Sequence, residues 1–200
     1  MAKPVLAIDI DEVLFPFIAK LLEHTNTKYG LDHSIEQVKD FNLGFWNVAD
    51  SEAIDRVHDV LRLDHNRVHA IDGAKLVISC LQEKYLIYIV TSRDEEFRAR
   101  TEEWLTQHFA GLYDGLYITG NHYSGREFRS KAEVCIELGV EMLIDDQLHH
   151  ARESSQLGLP CILFGDYPWN QTDALPDGVV RARDWAEVRE LLMEVPDEKN

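Results

Sequence analysis

The chain is short of basic residues, has few cysteines and lacks any long apolar run. Its 20 Lys and Arg stand against 36 Asp and Glu, for a formal charge of −16 over 200 residues. Such a surplus repels nucleic-acid backbones and anionic membranes unless basic residues cluster locally. No basic run exists, so neither a nucleic-acid polymer nor a membrane is an expected partner. The first apolar stretch, residues 5–10, follows a single Lys3 and is interrupted by Asp9 and Asp11. It is neither a signal peptide nor a membrane span, and a cytoplasmic location is expected. Cys80, Cys135 and Cys161 show no CxxC spacing, which excludes a zinc ribbon and suits free buried thiols in a reducing compartment. What is present is 45% hydrophobic residues, enough for one globular domain with a modest insertion.

Short apolar runs at residues 5–9, 85–90, 116–118, 142–144 and 161–164 read as buried strands. Between them lie helical stripes: Ala74, Val77, Ile78, Leu81; Phe97, Thr101, Trp104, Leu105; Val134, Cys135, Leu138; and Leu148, Ala151, Leu157. Strand–helix alternation predicts a Rossmann-like, three-layer α/β/α fold with a parallel sheet. Residues 15–69 contain no strand candidate. Pro16 suits a first helical turn, Gly30 a stop, and Ser34 with Gln37 a capping box. We therefore expect a core from residues 1–14 and 70–195, a small helical cap from 15–69 inserted after the first strand, and a frayed tail at 196–200. The cap would stand over the carboxyl edge of the sheet, where open α/β folds bind ligands. Segments 14–16 and 69–73 would be its hinges.

Asp9 and Asp11 close the first strand two residues apart, so both carboxylates can face one side. Two such anions in a pocket need a cation or a shared proton. Asp145-Asp146 ends a later strand, and two acidic strand ends in one parallel sheet converge on one edge with oxygen ligands for Mg²⁺. Thr91-Ser92 brings hydroxyls and turn N–H groups to the same edge, and Lys131, opening a helix, offers a point charge for phosphate. Arg93, Arg126 and Arg129 are further basic candidates. Taken singly, each group also suits a strand-end turn, a helix cap or a solvated surface.

In this order Asp9-Ile10-Asp11-Glu12-Val13, Thr91-Ser92, Lys131 and Asp145-Asp146 resemble the four motifs of the haloacid dehalogenase (HAD) phosphohydrolases. Within that superfamily the chain resembles the 5'(3')-deoxyribonucleotidases, through Phe17, Gly44-Phe45-Trp46, Asp72-Gly73-Ala74, Pro168-Trp169-Asn170 and Trp185-Ala186-Glu187-Val188. The resemblance implies Asp9 as nucleophile, Asp11 as acid/base, Thr91 and Ser92 on the phosphoryl group, and Lys131 as charge balance. It implies Mg²⁺ held by Asp9, the Asp11 backbone carbonyl, Asp145 and Asp146. Phe17, Phe45 and Trp46 are candidates to stack on a nucleobase, with packing between cap helices the alternative; Phe41 is a weaker candidate. The implied substrate is a small phosphorylated metabolite, a nucleoside monophosphate first. A phosphatase for a sugar phosphate and a noncatalytic phospholigand binder are the alternatives. A homodimer is the base-rate expectation. Glu12 departs from the small residue that relatives carry there and adds a third acid. His149-His150 cannot readily share one ion, since neighbouring helical residues point about 100° apart, and reads as solvent-facing; His65 with His69 is a minor metal candidate.

Overall fold

The computed structural model describes residues 2–39, 44–120 and 129–193. Phe41, Arg126 and the tail beyond residue 195 lie outside them. Strands β1 (Val5–Ile8), β2 (Leu86–Thr91), β3 (Gly115–Ile118), β4 (Val140–Asp145), β5 (Cys161–Phe164) and β6 (Val179–Ala182) form one parallel sheet in the order β3-β2-β1-β4-β5-β6. Five of these lie where the apolar runs predict strands. β6 has no counterpart among those runs: Val179-Val180-Arg181-Ala182 has an arginine within it and an exposed Val180, as an edge strand tolerates.

Helices α1 (Phe17–Tyr29), α2 (Asp50–Leu61), α3 (Ala74–Leu81), α4 (Arg98–Phe109), α5 (Lys131–Glu137), α6 (Leu148–Gln156) and α7 (Trp185–Met193) complete the described elements, with 3-10 turns at Ile35–Gln37, Gly44–Trp46 and Glu95–Phe97. Alternation along β1 divides the core. Leu6 and Ile8 face α3, α4 and α7 through Val77, Ile78, Trp104 and Trp185, whereas Ala7 faces α5 and α6 through Cys135 and Ala151. The result is a three-layer α/β/α fold. All four stripe residues of α3 and all four from Phe97 to Leu105 are buried, but Leu157 falls just past α6 and is exposed. Cys135 and Cys161 are buried free thiols, and Cys80 is half-buried.

Between β1 and α3 the described residues are helical or irregular. Gly30 ends α1 at φ 65, the left-handed conformation glycine adopts without penalty, and Gln37 Oε1 accepts the Ser34 N–H at 2.8 Å, as the capping box requires. Ile18, Leu21, Trp46, Val60 and Leu61 of this segment belong to the same apolar cluster as the α3 face of the sheet. The two chain crossings are joined, since Ile71 N–H donates to the Leu14 carbonyl at 2.8 Å. His58 of α2 also reaches the loop after β2, with Nε2 3.2 Å from Asp94 Oδ2.

Candidate active site

The chain leaves β1 toward β2 and β3, then returns to β4 on the other side of β1. That reversal is a topological switch point, where a crevice opens at the strand carboxyl ends. Register fills it with acid. Ile8 pairs with Ile144, and the Asp9 N–H donates to the Ile144 carbonyl at 3.0 Å, so Asp9 and Asp145 follow side by side. Ligand oxygens of Asp9, Asp145 and Asp146 lie within 4.8 Å of one another, all three residues buried.

Lys131 is the first residue of α5, whose start is set by Ser130: its hydroxyl accepts the Glu133 N–H at 3.2 Å while the Glu133 carboxylate accepts the Ser130 N–H at 3.0 Å. The side chain enters the sheet edge almost fully buried. Its Nζ stands 2.6 Å from Asp145 Oδ2 and 3.0 Å from Asp9 Oδ1. Asp145 Oδ1 accepts the Gln147 N–H at 2.8 Å, and Asp146 Oδ2 accepts from Trp169 Nε1 at 2.7 Å and Gln147 Nε2 at 2.8 Å. Trp169 stacks on Tyr167, and Asn170 Nδ2 binds the Asp146 carbonyl at 3.0 Å. Trp169 and Asn170 thus fasten Asp146, just past β4, a task that their resemblance alone did not reveal.

After Asp9 the chain curls tightly, the N–H groups of Val13, Leu14 and Phe15 all pointing at the Ile10 carbonyl. Tyr167 Oη donates to the Glu12 carbonyl at 2.8 Å and Trp185 Nε1 to the Val13 carbonyl at 2.9 Å. Glu12 has φ 60, which disfavours an L-residue by roughly 1–2 kcal/mol. Its carboxylate is buried and accepts the Ile18 N–H at 2.5 Å, satisfying one of the orphan donors at the α1 N-terminus. The third acid therefore serves α1.

Thr91 is buried and its hydroxyl accepts the Arg93 N–H at 3.3 Å; Ser92 is half-buried. Arg93, a candidate to hold substrate, gives Nε and Nη2 to the Asp11 carboxylate and Nη1 to Thr101. Arg129 pairs with Glu137. Phe17 and Trp46 are buried, Trp46 beneath the Arg56 guanidinium at 5.0 Å, while Phe45 is half-buried with its ring against His33 and Trp46. His149 is exposed, but His150 is not solvent-facing: α6 turns it inward, Nε2 3.5 Å from Ser92 Oγ. Helical periodicity predicts that the pair diverges, yet the two rings pack together with centroids 3.9 Å apart, and His150 is the buried member. His65 lies edge-on against Phe15 with His69 exposed, and they form no metal-capable group among the described residues.

Burial raises the Asp9 carboxyl to about 6, Lys131 offsetting part of the rise and Asp145 adding to it. Burial opposes the Lys131 ammonium too, yet Asp145 and Asp9 outweigh it and hold its pKa above the usual value. For Asp145 the balance reverses: burial is overcome by Lys131, and its pKa lies below the ordinary range. Asp146 is pushed well above it by burial, Asp145 and Asp9. One ammonium thus contacts two of the three clustered acids, Asp9 and Asp145. An all-oxygen donor set with surplus negative charge fits a hard divalent cation, and Asp145 and Asp146 already have the hydrogen-bonded outer partners that such ligands need.

A sequence model of "5' nucleotidase, deoxy (Pyrimidine), cytosolic type C protein" matches residues 3–196. The chain belongs to that family. It is a HAD-superfamily phosphohydrolase, and solved HAD structures share its fold. A HAD-like hydrolase from Streptococcus pneumoniae aligns with TM-score 0.67 at 14% identity, covering 94% of this chain and 98% of its own. A predicted phosphatase from Clostridium acetobutylicum aligns at 0.68 and 15% identity over 98% and 100%. The magnesium-bound HAD-hydrolase YfnB from Bacillus subtilis aligns at 0.61 and 14% over 97% and 100%. No curated protein matches the chain in sequence. Among the described residues, no helix of this HAD protein is long and apolar enough to cross a membrane.

Proposed function

We propose that the protein is a Mg²⁺-dependent 5'-nucleotidase that hydrolyses (deoxy)nucleoside monophosphates through an aspartyl-phosphate. The observation that carries this reading is Asp9, a buried carboxylate 3.0 Å from the Lys131 ammonium in a cluster with Asp145 and Asp146. A binding protein has no use for such a nucleophile beside a second aspartate two residues on. The cation held by Asp9, the Asp11 carbonyl, Asp145 and Asp146 would neutralise phosphoryl charge.

Asp9 attacks phosphorus as the ester P–O bond breaks, and Asp11 gives its proton to the departing oxygen. Thr91 and Ser92 hold the phosphoryl oxygens. Water then attacks the acyl phosphate, Asp11 takes its proton, and phosphate leaves with Asp9 restored. Lys131 keeps Asp9 aligned and balances its charge through both steps, so the protein's own contribution is chiefly placement and electrostatics. Residues 15–69 act as a cap over the carboxyl edge, and of Phe17, Phe45 and Trp46 only Phe45, half-buried, remains a candidate to meet a base. The burial of Phe17 and Trp46 favours a second reading, a phosphatase for a sugar phosphate or similar metabolite. Cytoplasmic location fits either.

Phosphate release from a panel of nucleoside monophosphates, deoxynucleotides and sugar phosphates tests both readings, with EDTA and Asp9→Asn controls. Mg²⁺-dependent turnover that Asp9→Asn abolishes and that is fastest on nucleotides is the expected result. Fastest turnover on sugar phosphates selects the second reading, and no turnover on any ester overturns the enzyme.

A further inference from the structure

We propose that Arg93 is the positioning residue of Asp11, fixing the carboxylate that exchanges protons with the leaving group and with water; this rests on the acid/base role proposed above. The contact is a two-pronged fork. Nε donates to Asp11 Oδ2 at 3.0 Å and Nη2 to Oδ1 at 2.7 Å, which sets the carboxylate plane as a single ammonium cannot. The guanidinium is itself immobilised. Nη1 donates to the buried Thr101 hydroxyl at 3.1 Å, its face lies 5.1 Å from the Phe15 ring centroid, and its backbone N–H holds the Thr91 hydroxyl.

A guanidinium with each of its three nitrogens engaged by protein, on a residue 6% exposed, has little to offer a mobile phosphate. The two cations thereby divide the two acids: Lys131 answers Asp9 and Arg93 answers Asp11. A carboxylate has about four lone-pair sites, and the fork uses one on each oxygen. The others remain for a proton in transit, held in one orientation relative to Thr91.

Placement of the acid matters in proportion to how badly the leaving oxygen needs its proton. An alkoxide must be protonated as the P–O bond breaks, whereas 4-nitrophenolate departs without help. The test compares wild type, Arg93→Ala and Arg93→Lys on an alkyl phosphate monoester and on 4-nitrophenyl phosphate, with Mg²⁺ binding by calorimetry as the check of folding. For Arg93→Ala, kcat on the alkyl ester falls about 100-fold and on the aryl ester less than about tenfold, with KM held within about threefold. Added guanidinium restores the alkyl reaction. Arg93→Lys keeps the charge without the fork and stays impaired, and it carries the comparison if the alanine variant does not fold. Equal losses on both esters, a rise in KM at constant kcat, or full activity of Arg93→Lys would each overturn the inference. Wild type inactive on both esters overturns the phosphatase reading and this inference with it; active wild type without leaving-group dependence overturns this inference alone.

Discussion

Lys131 Nζ and Asp145 Oδ2 stand 2.6 Å apart with both side chains withdrawn from solvent, so each is the other's principal counter-charge. The pair holds the α5 N-terminus against the carboxyl end of β4, and the same ammonium reaches Asp9.

Removing that ammonium leaves buried acids without compensation. Lys131→Met should lower unfolding free energy in EDTA by about 3 kcal/mol, the cost typical of breaking a buried ion pair, and should abolish measurable turnover. Urea denaturation and phosphate release check the two parts. A variant as stable as wild type would show that neighbouring acids take up protons at little cost.

Trp169 should govern metal affinity more than folding. Trp169→Phe keeps an aromatic ring against Tyr167 but loses the 2.7 Å bond to Asp146 Oδ2. Outer partners of this kind are worth roughly 10–100-fold in metal affinity, so calorimetry should find Mg²⁺ binding weaker by at least about tenfold, with thermal stability in EDTA little changed.

Glu12 should make stability fall with rising pH. Burial raises its folded pKa from 4.5 to about 8, against the favourable Ile18 hydrogen bond. The folded state then binds the proton more tightly than the unfolded chain, so this contribution is full below about pH 4.5 and is lost as pH rises through 8. Glu12→Gln retains an acceptor for Ile18 without that dependence. Melting curves in EDTA should show the variant gaining on wild type across this window, and parallel curves would refute the assignment.

The two aromatics of the Gly44–Trp46 turn should separate. Trp46 is buried under Arg56, so Trp46→Ala should cost about 3 kcal/mol by cavity formation. Phe45→Ala should cost under about 1.5 kcal/mol and, if the ring meets a base, raise KM for nucleotides while leaving other phosphomonoesters unaffected. Denaturation and the substrate panel measure these.

Much of the fold was legible because burial writes itself into local pattern: five apolar runs became strands, and the stripes of α3 and α4 went to the core as spaced. β6 escaped because an edge strand needs few apolar residues and carries Arg181. Asp9, Asp145 and Lys131 could be suspected from strand-end and helix-start positions, whereas the inward turn of His150 and the capping role of Glu12 have no local signature. Arg93 was legible as a basic residue near the edge but not as the partner of Asp11, 82 residues away.

Local sequence determined which segments become strands and helices and which chemical groups stand at their ends, since periodicity, caps and turn residues act over a few positions. Tertiary structure decided who meets whom. The register of Ile8 on Ile144 set Asp9 beside Asp145, and the loop after β5 brought Trp169 to Asp146. The packing of the β2 loop against the curl after β1 gave Asp11 its arginine. Those choices depend on distances between residues remote in the chain, and only a packed core fixes such distances.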